Sequence, residues 1–75
     1  MTIQQLRLAV HATPFIPFTV FMADGRSFYV PHRDFVAMSP TGRTVVLYDE
    51  NDDFSILDLL LMIEIRIGTV DKAKA

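Results

Sequence analysis

The sequence predicts a mainly β fold in which a short N-terminal helix precedes a strongly bent antiparallel barrel of five strands. Two alternating apolar segments, 18–23 and 26–30, are joined by Asp24-Gly25, a pair typical of a β-hairpin with a type I′ turn. A second turn signal, Ser-Pro-Thr-Gly at 39–42, precedes another alternating segment. Near the end, segment 62–67 alternates with a period of two and is rich in isoleucine, which favours a strand.

The first element is predicted to be a helix over residues 2–12. Thr2 is placed to act as the N-cap, and Gln5 stands three residues later, where it completes a capping box. Leu6 and Val10 fall on one helical face. Pro14 ends the helix, because proline disfavours helical backbone in the residue before it.

The middle of the chain is predicted to form three of the five strands. The first strand, starting at Phe18, is apolar on both faces, so we expect both faces to be covered. Residues 26–38 are interpreted as one long, sharply bent strand, with the bend at Pro31 because proline cannot donate to a sheet ladder. Residues 43–49 form the next strand, and the acidic segment 49–53 is the loop that follows it.

Residues 54–67 fit two structures. As strands, 54–57 and 61–67 are joined by a tight bend at 58–60. As a helix, the segment has an apolar face and Asp53 as its cap. The isoleucine content favours the two strands. Gly68 is expected to end the element, and 69–75 to be a frayed polar tail.

The composition limits the classes of protein that are compatible with the chain. Its 75 residues suffice for one domain, expected to span 1–75, and contain no cysteine for disulfides or thiolate metal sites. The net charge is -2 and the basic residues are scattered, whereas binding of phosphate backbones relies on clustered Lys and Arg. No secretory signal is apparent, and the longest apolar run, 59–63, is too short to span a bilayer. We therefore expect a cytoplasmic protein with no membrane partner.

The order of predicted elements, together with segments 20–26 (VFMADGR), 44–49 (TVVLYD) and the apolar 59–67, resembles the Sm/LSm-like fold. This family includes the bacterial host-factor RNA chaperone and has a short helix before a small, SH3-like barrel. The resemblance implies a ring in which the last two strands of each subunit pair edge to edge with its neighbours. A closer likeness is to short bacterial proteins that share PFIPF at 14–18, ADGR at 23–26 and VPHRDF at 30–35, and it implies no particular function.

The chain departs from the RNA-binding members of that family at their characteristic motifs. In those proteins a uridine-binding Asp is followed closely by Met-Asn, whereas Asp34 is followed by FVAMS at 35–39. The host-factor Lys-His pair before the last strand is replaced by LDLL at 57–60. We therefore expect the chain to share the architecture of this family but not its RNA-binding site.

The last two predicted strands carry the main functional prediction. Their apolar side chains exceed what one small barrel can bury, and an exposed apolar edge strand aggregates unless it is paired. Since the hydrophobic fraction is 51% and the chain has no disulfide, we expect a homo-oligomer. The expected interface residues are Phe54, Ile56, Leu57, Met62, Ile63, Ile65 and Ile67.

Three residues are candidate contacts for a nucleic acid or another ligand: Arg26, His32 and Arg33. Phe21, Tyr29 and Tyr48 are aromatic residues that could stack on bases. These residues belong to the alternative function, an RNA-binding Sm-like ring.

No residue pattern indicates an enzyme, a cofactor or a metal. The cluster 32–34 (His-Arg-Asp) lacks a nucleophile, and adjacent residues in an extended chain point to opposite faces. Residues 49–53 match the first three ligands of an EF-hand, but Phe54 and Leu60 stand where its glycine and glutamate are needed. The sequence thus predicts a non-enzymatic, homo-oligomeric interaction or scaffold module whose protein partner is not specified.

Overall fold

A computed structural model describes residues 1–68 and shows a mainly β chain with one short N-terminal helix. Six strands form two three-stranded antiparallel sheets, one in the order β2-β1-β6 and the other in the order β3-β4-β5. The predicted fold class is confirmed at this level. The strand count differs from the five expected, since residues 1–68 form six strands, and these lie in two sheets that do not close into a barrel. The elements are α1 (Ile3–Val10), β1 (Phe18–Met22), β2 (Ser27–Val30), β3 (Val36–Met38), β4 (Thr44–Tyr48), β5 (Phe54–Asp58) and β6 (Met62–Ile67).

The helix α1 begins at the predicted capping box. The Gln5 backbone amide donates to the Thr2 hydroxyl at 3.3 Å, and the Thr2 amide donates to the Gln5 side-chain oxygen at 3.0 Å. Leu6 and Val10 are buried, so the helix lies with its apolar face on the core. The predicted helix is confirmed, although it ends two residues earlier than expected.

The long bent strand predicted over 26–38 is two strands that belong to different sheets. After β2, Pro31 interrupts the ladder, and a single 3-10 turn, Arg33–Phe35, separates β2 from β3. This interruption explains why the structure has six strands rather than five.

The turn between β1 and β2 also differs from the prediction. Gly25 has a φ of 94°, but Asp24 does not have positive φ, so the predicted type I′ turn is wrong. The Gly25 amide donates to the Met22 carbonyl at 3.0 Å, and the Met22 amide donates to the Arg26 carbonyl at 2.8 Å. The connection is therefore a three-residue hairpin loop that ends in a left-handed glycine.

Residues 54–67 form two strands, as the isoleucine content favoured, and the helical alternative is wrong. β5 pairs with β4, and β6 pairs with β1. Between them, the 3-10 turn Leu59–Leu61 carries the chain from one sheet to the other. The Asp58 carboxylate caps that turn by accepting a hydrogen bond from the Leu60 amide at 2.9 Å.

The register of β6 contains a bulge that the period of two did not predict. Phe21 pairs with Glu64, whereas the next residue, Met22, pairs with Met62. Ile63 is therefore the extra residue, and it does not share a face with Ile65 and Ile67 as expected.

The core lies between the two sheets and is closed on one side by α1. Phe18 and Val20 of β1 pack there with Val45 of β4 and Met62 of β6, and all four are fully buried. Backbone hydrogen bonds also join the sheets through the Leu59–Leu61 turn. The Ala23 amide donates to the Leu61 carbonyl at 2.8 Å, and the Leu59 amide donates to the Arg43 carbonyl at 2.9 Å.

The central strand β1 is covered on both faces, as predicted. On the side away from the core, Thr19 is 6% exposed and Phe21 is half-buried, with the Arg66 guanidinium 5.5 Å from the centre of the Phe21 ring. The Thr19 hydroxyl oxygen is buried and has no hydrogen-bond partner among residues 1–68. A buried, unpaired hydroxyl costs stability.

The loop between β3 and β4 supports the start of α1. Gly42 has a φ of 76°, and a Cβ atom built on it would lie 2.9 Å from Cβ of Ile3. The absence of a side chain at position 42 is therefore what lets the helix approach this loop. None of the helices in residues 1–68 has the length and apolar character needed to cross a membrane. The predicted frayed tail, 69–75, lies outside the described residues.

Candidate interaction surfaces

Four of the predicted interface residues form what we call the edge surface: Phe54, Ile56, Ile63 and Ile67. Each is between 56% and 66% exposed in the isolated chain. They lie on β5 and β6, the outer strands of their respective sheets. Within residues 1–68 no strand pairs with the outer side of either, so backbone hydrogen-bonding groups are free beside apolar side chains.

The other three predicted interface residues are engaged by the chain's own core. Leu57 is 5% exposed and Met62 is fully buried, so in the single chain their side chains belong to the core. Leu57 faces inward because it alternates with Ile56 along β5, and Met62 faces inward because of the bulge at Ile63. Ile65 is half-buried and packs against the core.

Leu60 and Leu61 enlarge the exposed apolar area between β5 and β6, at 68% and 52% exposure. They were not among the predicted interface residues. They point outward because the 3-10 turn capped by Asp58 directs only Leu59 into the core. The run 59–61 was the available signal, but its apolar character alone does not say which leucine is buried.

Arg26, the first of the predicted ligand contacts, is held by its own hairpin. Its Nε donates to Asp24 at 2.8 Å, and its guanidinium lies 5.6 Å from the centre of the Phe28 ring. The Arg26 backbone amide also donates to the Asp24 carboxylate at 3.1 Å, and this bond holds the pKa of Asp24 below its ordinary value of 3.8.

His32 and Arg33 pack around Phe15 and fasten the connector after α1. Arg33 donates to the Ala12 carbonyl at 2.8 Å, and its guanidinium lies 5.7 Å from the centre of the Phe15 ring. The His32 ring lies between Phe15 and Phe35, with centroid distances of 6.4 and 6.3 Å. These contacts stabilise the fold. They share no contacting residue with Arg26, which is bound to Asp24 and Phe28, so the described contacts do not bring the three residues into one site.

The cluster 32–34 does not assemble a catalytic pair in the described residues. No hydrogen bond joins His32 to Asp34 there. Asp34 borders a surface hollow together with Phe35, Tyr48 and Asp49, but His32 does not line it.

Asp49 shapes the acidic loop between β4 and β5. One of its carboxylate oxygens accepts hydrogen bonds from the amides of Asn51 and Asp53, at 2.8 and 3.1 Å. Asp52, with a φ of 69°, occupies the left-handed position that closes the loop. In the described part of the chain no three His, Cys, Asp or Glu side chains are close enough to hold a metal ion.

A cleft of about 310 Å³ lies between β2 and the tip of the β4–β5 hairpin. We call it the acidic cleft, because Asp49, Glu50 and Asp53 line it beside Phe28 and Tyr48, and none of its lining residues is basic. Sequence reasoning did not find this site. Its two walls are about twenty residues apart in the chain and come together only through the packing of the sheets.

Searches with this chain against protein-family models, curated proteins and solved structures find no match. Its function therefore has to be argued from its own surfaces.

Proposed function

We propose that the protein is a non-enzymatic, homo-oligomeric interaction module with an Sm-like architecture. The observation that carries the proposal is the edge surface, where Phe54, Ile56, Ile63 and Ile67 stand exposed on two unpaired strands.

The Sm-like part of the proposal draws on the order and connection of the strands. β1 pairs with β2 and β6, and β4 pairs with β3 and β5, so each sheet is built around one central strand. The chain passes between the sheets twice, through the turns Arg33–Phe35 and Leu59–Leu61. This arrangement supports a bent, partly open barrel of the kind that the resemblance implies, with the second strand divided in two.

Physical considerations favour pairing of copies through the edge surface. An apolar side chain of this size contributes about 1.5 kcal/mol or more when it is removed from water. The edge surface offers four such side chains, and Leu60 and Leu61 lie between its two strands. An edge strand of another copy would also satisfy the unpaired backbone groups of β5 or β6. Monomeric proteins usually protect such edges with charged residues, and segment 54–67, which contains both edge strands, has only Asp58, Glu64 and Arg66.

The contacts of the basic residues favour this role over an RNA-binding ring. Arg26 is paired with Asp24, and Arg33 is bonded to the Ala12 carbonyl. Tyr29 and Tyr48 line the acidic cleft, where carboxylates would repel the phosphates of a bound RNA.

The test is the mass of the purified protein in solution, measured by light scattering coupled to size exclusion and by native mass spectrometry without nuclease treatment. We expect a closed oligomer free of nucleic acid. Ile56→Lys and Ile63→Lys should each shift the mass towards that of a monomer, because a buried lysine at either position would have to be desolvated.

Ala37→Lys is the matched control, since Ala37 is exposed on β3, at the opposite edge of its sheet from β5. This variant should keep the wild-type mass, and circular dichroism should show that all three variants are folded. A wild-type monomer at micromolar concentration would refute the proposal. Nucleic acid bound to the oligomer would favour the RNA-binding alternative.

A further inference from the structure

The acidic cleft combines aromatic walls with uncompensated negative charge. Phe28, whose ring also contacts the Arg26 guanidinium, lies on one side, and the Tyr48 and Phe54 rings, whose centroids are 5.8 Å apart, lie on the other. The faces of aromatic rings carry partial negative charge and attract guanidinium and ammonium groups. The aromatic walls and the carboxylates of the cleft therefore both favour a cationic ligand.

A second hollow, of about 360 Å³, adjoins the cleft and shares Phe35, Tyr48, Asp49 and Glu50 with it. It adds two more carboxylates, those of Asp34 and Asp52. Together the two hollows gather five of the nine acidic residues of the chain and no basic one.

These carboxylates are almost entirely unpaired. Asp49 accepts two backbone amides from its own loop. Within residues 1–68, Glu50 and Asp53 make no ion pair and no side-chain hydrogen bond, and the same holds for Asp34 and Asp52. The other described clusters differ, since Asp24 and Glu64 are each paired with an arginine. The charge of the cleft is therefore available to a partner.

We propose that the acidic cleft binds a short, extended segment of a partner protein that carries two cationic side chains at alternate positions. Alternate residues of an extended chain project on the same side, about 7 Å apart. The two hollows share four lining residues and therefore lie side by side, and each would receive one of these side chains. Arginine suits them best, because its planar guanidinium stacks on aromatic rings and forms paired hydrogen bonds with carboxylates.

The test uses fluorescence anisotropy with the labelled peptide Gly-Ser-Arg-Ala-Arg-Ser-Gly and the full chain. We expect saturable binding that weakens as the salt concentration rises. The same peptide with both arginines replaced by glutamine should not bind. A peptide with adjacent arginines, Gly-Ser-Arg-Arg-Ala-Ser-Gly, should bind more weakly, because it cannot place both cations on one side.

Two double variants, each with two fewer negative charges than the wild type, distinguish binding at the cleft from non-specific electrostatic attraction of the peptide to the protein. Glu50→Gln with Asp53→Asn should weaken binding roughly tenfold, within the range of about two- to thirtyfold that two partly exposed ion pairs contribute. Asp58→Asn with Glu64→Gln removes the same charge from residues that line neither hollow and should leave the affinity unchanged; asparagine at position 58 can still cap the Leu59–Leu61 turn. Tyr48→Phe should retain binding, whereas Tyr48→Leu should lose roughly two- to fivefold.

Three results would overturn the inference. They are absence of binding by the wild type, equal losses in the two double variants, and tighter binding of labelled oligouridine that the peptide displaces. Phe54 is the one residue that the cleft shares with the edge surface, so the oligomer-disrupting variant used here is Ile63→Lys, on β6 and outside both hollows; it should still bind the peptide. Failure of the oligomer and failure of the cleft are thus distinguishable.

Discussion

Substitution of Gly42 by alanine tests the close packing of α1 against the loop between β3 and β4. A Cβ atom at position 42 would lie 2.9 Å from Cβ, 3.0 Å from Cγ1 and 3.2 Å from Cγ2 of Ile3. The loop cannot easily move away. Hydrogen bonds from the Gly42 amide to the Ser39 carbonyl at 3.0 Å and from the Ser39 amide to the Thr44 carbonyl at 2.9 Å hold it in place. The Ser39 hydroxyl also accepts the amides of Arg43 and Thr44.

The matched control is Gly25→Ala, which isolates the backbone cost. Both glycines have positive φ, at 94° and 76°, but a Cβ at position 25 would meet no atom within 4 Å. Left-handed backbone costs a residue with a side chain about 1–2 kcal/mol, partly offset by about 0.4–1 kcal/mol from a less flexible unfolded chain. Gly42→Ala adds overpacking against Ile3, which typically costs about 1–3 kcal/mol. We therefore expect a loss of about 1 kcal/mol for Gly25→Ala and about 2–4 kcal/mol for Gly42→Ala.

Urea unfolding followed by circular dichroism, at one fixed protein concentration, measures both free energies of unfolding. With a slope of about 1 kcal/mol per molar urea for a small domain, the two midpoints should differ by about 1–3 M. In an Ile3→Ala background the difference should shrink, because two of the three close atoms are removed. Equal losses for the two glycine variants would refute the argument that close approach of the helix requires Gly42.

Two further substitutions are expected to stabilise the protein, and the same unfolding assay measures them. Asp52→Gly should raise the free energy of unfolding by about 0.5–1 kcal/mol, because position 52 has a φ of 69° and glycine adopts this backbone without strain. A lower free energy of unfolding would mean that the Asp52 side chain makes a stabilising contact. Thr19→Val should raise the free energy of unfolding by about 1 kcal/mol, because the substitution replaces a buried hydroxyl that has no partner among residues 1–68 with a methyl group of similar shape. A lower free energy of unfolding would indicate that the hydroxyl is hydrogen-bonded in solution.

The sequence by itself determined the local elements. The capping box at Thr2 and Gln5 fixed the start of the helix, because both partners lie within one turn of chain. Alternation in β4 places Val45 and Leu47 on one face, because side chains of a strand point to opposite faces in turn, and the structure shows that this face is the buried one. The isoleucine content of 62–67 favoured a strand over a helix for the same local reason, the fit of β-branched side chains to extended backbone.

The tertiary structure decided what depends on residues far apart in the chain. Pairing of β1 with β6 requires a bulge at Ile63, and this bulge turns Met62 into the core and leaves Ile63 outside. Packing of Phe15 against His32 and Arg33 takes up two residues that the sequence offered as ligand contacts.

The acidic cleft is the clearest case of a feature that only the tertiary structure decided. Asp49, Glu50 and Asp53 are visible in the sequence as a polar loop, but the aromatic wall beside them comes from β2, in the other sheet. A period or a turn signal describes neighbours along the chain, whereas a cleft depends on how two sheets pack. The sequence therefore determined where the helix and most of the strands lie. Only their packing decided that 26–38 is divided between two sheets, which apolar residues are exposed and which charges face a cavity.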